Sequence, residues 1–315
     1  MGLSKTDFGY LRDGIGNLKA ARAVEGGLGG AHGATEFFVS SVSGGSGNDG
    51  KSWQTPVATL DAAMGLCTAS QGDIVYLMPG HVESSSAAAT WDIDVAGVSV
   101  IGLGHGTARP RFDYDLAASS IDIGASGCIL SNVQLRPSVT DVLVGIDIET
   151  LVTDTLLSDI EILPGEAGDG TDEFALGIDL KVGCTRTKIV RFKERQHASA
   201  AGTIAGIRLT GASDDVTIVD PDIHITGAGV VAPINGITTL STNVNILGGR
   251  LTTDAEPGIE LLTGTTGIIS QTEIFADLAT IDAATVADGM AHFNVRYVEV
   301  GNEAGTLVKT ESADD

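Results

Sequence analysis

Gly145-Ile146-Asp147-Ile148, Gly177-Ile178-Asp179-Leu180 and Gly206-Ile207-Arg208-Leu209 are three copies of one tetrapeptide. Gly236-Ile237-Thr238-Thr239 and Gly258-Ile259-Glu260-Leu261 continue the series, and Ser120-Ile121-Asp122-Ile123 is a weaker first copy. The copies start 25, 32, 29, 30 and 22 residues apart. Each is followed by a second alternating segment, such as Asp159-Ile160-Glu161-Ile162, Lys188-Ile189-Val190, Val216-Thr217-Ile218-Val219 or Val244-Asn245-Ile246-Leu247. Period-two alternation turns Ile, Val and Leu to one side of a strand and Asp, Arg, Thr or Asn to the other. Repeats of this length signal a solenoid or a propeller, and a propeller blade needs roughly 40 residues or more. No helical stretch long enough for a βαβ crossover separates the segments, so an open α/β sheet does not fit either. The pattern predicts an all-β chain, a single parallel β-helix whose stacked rungs share a column of Ile121, Ile146, Ile178, Ile207, Ile237 and Ile259.

Outward from the repeats the chain divides into four parts. Residues 1–36 are rich in glycine, with Phe8, Tyr10, Leu11, Ile15 and Leu18 as isolated apolar points; they predict an extended arm that anchors the molecule to a partner. Residues 37–71 hold a strand at Phe37–Val42, a Gly-rich loop and a helix over Pro56–Cys67. Thr55 is its expected cap, Pro56 its first residue, and Val57, Leu60, Met64 and Cys67 its apolar stripe. A coil of rungs leaves unpaired backbone at its ends, and capping the N-terminal end is the role expected of this helix. Residues 72–275 are the β-helix. Residues 276–315 read as a C-terminal cap containing one strand, His292–Val300, followed by a disordered acidic tail.

Composition narrows the partners. Aromatic residues are only 4% of 315, so the core must be filled by aliphatic side chains. Forty-one acidic against 18 basic residues give a formal charge of -23, which repels phosphate backbones and anionic lipid; no nucleic acid and no membrane is expected as a partner. Cys67, Cys128 and Cys184 are widely spaced inside apolar strings and read as buried thiols, not as metal ligands. The N-terminus lacks a signal-peptide profile, and a soluble intracellular product is expected.

Few constellations carry chemistry. Gly45-Ser46-Gly47-Asn48-Asp49-Gly50-Lys51-Ser52 matches a phosphate-loop pattern, yet Trp53, Gln54, Thr55 and Pro56 intervene before the apolar stripe of the expected helix and Asp49 puts a carboxylate into the anion cradle. Asp113 with Asp115 and Asp220 with Asp222 have the spacing of a same-face pair that an acid–base dyad or a weak Ca²⁺ site would use, and solubilising turn residues are the expected reading. Trp53 and Trp91 are the two candidates for stacking on sugars, and the six histidines are scattered without a nucleophile. The sequence therefore predicts no cofactor, no metal and no catalytic residue.

Residues Phe37–Ser41, Trp53-x-x-Pro56, Thr59-Leu60-x-x-Ala63 and Gly72-Asp73-Ile74-Val75-Tyr76-Leu77-Met78-Pro79-Gly80-His81 carry a resemblance. In this order they resemble the opening of pectin-lyase-like right-handed β-helix proteins, common among the virion proteins of tailed phages. The resemblance implies a right-handed coil and a homotrimer. The family's Ca²⁺-binding Asp cluster and catalytic Arg have no match here. The expectation is a non-enzymatic virion protein, a trimeric decoration or spike held on a capsid surface by residues 1–36 and touching the major capsid protein. The alternative is a tail spike or fibre that binds or cleaves host-surface glycans. A secreted lyase is a third reading, disfavoured by the missing signal peptide.

Overall fold

The computed structural model describes residues 34–85, 91–165, 172–198, 205–227, 230–236, 238–254, 258–276, 290–299 and 306–307. They form a parallel β-solenoid whose rungs each contribute a strand to three faces. The first face runs from Glu36–Val39 and Ile74–Leu77 to Gly267–Ser270 and Met290–Phe293. The second runs from Val82–Ser84 and Arg111–Tyr114 to Glu273–Ala276 and Arg296–Glu299. The third is a separate seven-stranded sheet: Trp91–Ile93, Ile121–Ile123, Ile146–Ile148, Leu176–Leu180, Ala205–Leu209, Ile234–Gly236 and Ile259–Leu261. Two long strands, Ile129–Pro137 and Leu156–Ile162, cross from the first face to the second, which joins those faces into one sheet.

The corners have a local cause. Gly97, Gly127, Asp154, Arg186, Asp215 and Asn243 have positive φ where the chain enters the first face. Asn132, Asp159, Arg191, Asp220, Gly248, Gln271 and Asn294 have positive φ where it leaves. A single left-handed residue turns a strand sharply and brings its neighbour back to extended geometry, and Asn and Asp tolerate that region better than most side chains. Asn132 adds a tie to the rung before it, donating from Nδ2 to the carbonyls of Gly102 (2.8 Å) and Gly104 (3.1 Å).

Inside, each face contributes an apolar row. Val75, Val100, Leu130, Leu157, Ile189, Ile218, Ile246 and Ile269 stack in register on the first face. On the third, Ile121, Ile146, Ile178 and Ile207 stand in one column, each fully buried. The column continues through Ile234 to Ile259, so Ile234, not Ile237, fills the rung between Ile207 and Ile259. Ile237 itself lies outside the described residues. The frame is set by what fits: Asn235 occupies the outward slot, where its Nδ2 donates to Glu260 Oε2 at 2.9 Å, and Gly236 leaves inward room for Leu261. The glycine that opens the tetrapeptide has a packing reason as well. A Cβ on Gly177 would stand 3.0 Å from Phe192 Cζ and from Glu194 Oε2 on the opposite face, and one on Gly206 would stand 2.5 Å from Glu194 Oε2.

The ends differ from the sequence expectation. The helix spans Leu60–Met64 only, capped by Thr59, whose side chain accepts from Ala62 N. Thr55 is unavailable as a cap because its hydroxyl donates to Asp49 and meets Ser52, and Val57 is drawn into extended pairing with Val39. Leu60, Ala63 and Met64 face the coil interior. At the far end, Met290–Phe293 and Arg296–Glu299 are two strands, not one. Left-handed Asn294 separates them, so Phe293 is 55% exposed while Val295 is buried, and both strands pair in parallel with the preceding rung. Thr306–Leu307 pairs antiparallel with Arg296–Tyr297.

Candidate functional site

The outward row of the third face is Asp92, Asp122, Asp147, Asp179, Arg208, Asn235 and Glu260, in direct register. The same alternation that buries the Ile column turns these residues outward, so the coil itself builds a line of four carboxylates from strands 25 to 32 residues apart in sequence. Neighbouring strands lie about 4.8 Å apart, which sets the spacing of the carboxyl groups.

Their surroundings grade from wet to dry. Asp92 is exposed, Asp122 and Asp147 are half-buried, and the Asp179 side chain is only 3% exposed. Asp179 Oδ2 accepts from Lys181 Nζ at 2.8 Å, and its Oδ1 accepts from the Thr210 hydroxyl at 2.5 Å. Lys181 Nζ also stands 3.2 Å from Asp147 Oδ2, while Asp147 Oδ1 is enclosed without a hydrogen-bond partner. Burial pushes the Asp147 carboxyl up to about 6; Asp179 and Glu149 add to the rise, and Lys181 opposes it. Asp122 is also raised, by burial first and then by Asp92 and Glu149, against a 2.5 Å hydrogen bond from the Ser120 hydroxyl. Two register-adjacent carboxyls that reach solvent and favour the protonated form more than a surface Asp are suited to proton transfer. Asp179 and Lys181 sit behind them as positioning residues.

The residues singled out in the sequence lie elsewhere. Asp113 is clamped by Arg111 and Arg136, each through two hydrogen bonds of 2.7–3.0 Å, so it serves as an ion-pair centre. Asp220 is a corner residue and Asp222 pairs with Arg195 at 2.6 Å on the second face. Trp91 is buried edge-on against Phe112 and Tyr114 and donates to Glu83 Oε2 at 3.0 Å, whereas Trp53 is 60% exposed. In the phosphate-loop match, Asp49 accepts from Lys51 N at 3.1 Å, and the next helix begins only at Leu60, not directly after Ser52. Phe8, Tyr10, Leu11, Ile15 and Leu18 lie outside the described residues. Cys128 and Cys184 are buried and Cys67 is partly buried, all as free thiols; burial drives Cys67 up to about 12 and Cys184 to about 11. Among the described residues, no group of three or more His, Cys, Asp or Glu side chains is arranged to hold a metal ion, and no helix is long and apolar enough to cross a membrane.

No protein-family model and no curated protein matches the sequence. Solved structures do. The pectate lyase Pel9A is similar over 86% of this chain and 78% of its own, with a TM-score of 0.53 at 11% identity. A rhamnogalacturonan lyase covers 83% and 73% (TM-score 0.47, 12% identity), and the lacto-N-biosidase of Eubacterium ramulus covers 90% and 70% (TM-score 0.41, 11% identity). The likeness to Pel9A shows the fold alone, a parallel β-helix like that of this lyase. It also corrects the expectation of a non-enzymatic chain, because a solved structure that shares this fold is a pectate lyase.

Proposed function

We propose that the chain cleaves a polysaccharide by acid–base hydrolysis on the outer surface of its third face. The observation that carries this reading is the register-adjacent pair Asp122 and Asp147, half-buried, both raised, and about one strand spacing apart. A separation of about 5 Å matches carboxyl pairs that work by a double displacement. In that scheme Asp147 gives its proton to the glycosidic oxygen as that oxygen leaves the anomeric carbon. Asp122 attacks the same carbon and forms a glycosyl ester. Asp147, now a carboxylate, takes a proton from water, and the hydroxide displaces Asp122 to give a free reducing end. Lys181 and Asp179 hold Asp147 in place, with Lys181 limiting how far its proton affinity rises.

Release of reducing ends from a panel of polysaccharides tests the reading. Asp147→Asn should lose a factor of about 10²–10⁴, Asp122→Asn at least as much, and both proteins should keep the wild-type melting temperature. The wild-type rate should fall as pH rises through about 6, where Asp147 loses its proton. Unsaturated product ends, or an Asp147→Asn protein as fast as wild type, would overturn hydrolysis. The setting we propose is a tail spike or fibre on a virus particle, trimeric, with residues 1–36 as its attachment and host-surface glycan as its target. The resemblance carried by residues 37–81 and the polysaccharide-acting fold neighbour support this setting.

A further inference from the structure

The outer side of the first face is built unlike the other two. Two outward rows run along it in direct register, one from Glu36 and Ile74 to Ile268 and Ala291, the other from Phe38 and Tyr76 to Ser270 and Phe293. Among the described residues of these rows only Glu36 and Lys188 are charged, in a chain whose formal charge is -23. The second face, by contrast, shows Glu161, Lys193, Asp222 and Arg250 in one outward row, and the third shows four aspartates. Charges stand only at the edges of the first face, where Arg186 pairs with Asp154 and Arg191 with Asp159, both at 2.6 Å. An uncharged centre inside a polar rim is the anatomy of a protein–protein interface. Ile268 is 38% exposed and Phe293 55%, so large apolar groups on this face are open to water in the single chain.

The two rows also complement each other in size. Ile129 beside Ser131, Leu156 beside Ser158 and Ile268 beside Ser270 set the large side chain in the first row and the small one in the second. Ser99 beside Ile101, Thr217 beside Val219 and Asn245 beside Leu247 reverse the order. The small polar groups find partners within the chain: Ser158 Oγ donates to Ser131 Oγ at 2.8 Å, and Asn245 Nδ2 donates to the Asn243 carbonyl at 3.2 Å. We infer that copies of this chain meet side by side with their coil axes parallel, the first row of one copy lying against the second row of its neighbour. At equal height each large side chain then meets a small one, which fills the contact without voids. A surface matched rung by rung must repeat every 4.8 Å or so with the same alternation, and a second copy supplies that repeat. Rotation about an axis parallel to the coil brings unlike rows together and closes into a ring, whereas antiparallel copies set each row against itself. Self-repulsion of so acidic a chain is also least where its surface is uncharged. The first face thereby gives the trimer of the proposed setting its contact surface, independently of the hydrolytic reading.

Sedimentation equilibrium of the full-length protein tests this. The wild type should run at a multiple of 32.1 kDa, and a variant carrying Val219→Asp and Leu247→Asp should run at 32.1 kDa itself, with its β-sheet circular dichroism retained. Cross-linking keeps the question open to refutation should that variant fail to fold. Chains with Leu156→Cys, co-produced with chains carrying Ser158→Cys, should be joined to one another by a short thiol cross-linker at least tenfold more than either chain by itself. A wild type at the protomer mass would leave the face to residues 1–33 or to another protein, and would overturn this inference together with the trimer. The wild-type mass in the double-Asp variant, or equal cross-linking of mixed and single chains, would overturn this inference alone. A wild type at twice 32.1 kDa with a protomeric variant would bear out the face and sink the threefold count alone.

Discussion

Two glutamates occupy inward positions of one column on the second face, and they have opposite fates. Glu83 is fully engaged: Oε1 accepts from Leu60 N at 2.5 Å and from His81 Nε2 at 2.9 Å, and Oε2 accepts from Trp91 Nε1 at 3.0 Å. His81 Nδ1 accepts from Ser41 N at 2.9 Å, which leaves the ring proton on Nε2 for Glu83. Among the described residues, Glu194 has only Gln196 as a donor to Oε1, and its Oε2 is buried without a partner. Burial drives Glu194 from 4.5 up to about 8, with Gln196 opposing. The folded state thus binds one proton more than the unfolded state between those values, and stability is lost as pH rises from about 4.5 to about 8. Glu194→Gln should remove this slope and raise the melting temperature at pH 9 by about 4 °C or more, with little change at pH 4. Parallel melting curves for the two proteins would contradict it. At this scale the sequence was only partly legible. The Asp of each Ile-Asp-Ile copy was visible, but i, i+2 spacing along a strand marks Asp113/Asp115 and Asp220/Asp222 instead. Asp122 and Asp147 meet across strands, and a register is needed to see it.

At the scale of single elements, the corner residues decide where strands stop. Asn132 is the most informative of them, because it combines positive φ with two side-chain bonds to the previous rung. Asn132→Val should cost about 2–4 kcal/mol, from the steric penalty of a β-branched residue in the left-handed region and the loss of both bonds. Asn132→Gly, which removes the bonds and keeps the geometry, should cost about half as much; denaturant midpoints measure both, and equal losses would show that φ is irrelevant there. These corners recur at a five-residue interval, as in Asp154 and Asp159 or Asp215 and Asp220, yet Arg186 and Arg191 fill the same places, so residue type alone did not mark them in the sequence. Nor did it mark the helix start. Thr55-Pro56 has the composition of a helix start, and only the pairing of Val57 with the first strand moves the cap to Thr59. The slip from Ile234 to Ile237 has a similar origin: a glycine beside an isoleucine recurs in either frame, and the contact with Leu261 chooses between them.

For the whole molecule, the recurrence of the tetrapeptide was sufficient to identify stacked parallel rungs, because each rung buries its apolar side only against its neighbours. What the coil does with its outside was not readable, since solubilising and reactive carboxylates look alike in a chain with 41 acids. The trimer implied by the resemblance belongs to this scale. Sedimentation equilibrium of the purified chain should give three times the 32.1 kDa protomer mass, and a single species at one times that mass would rule the trimer out.

The strand Thr306–Leu307 runs against the direction of Arg296–Glu299, the reverse of every other strand ladder among the described residues. A parallel stack with a bare last strand is a template on which another chain could add indefinitely. A short strand of opposite polarity presents newcomers with a mismatched row of donors and acceptors on that flank. On that flank of the second face, addition of a further parallel strand is thereby disfavoured.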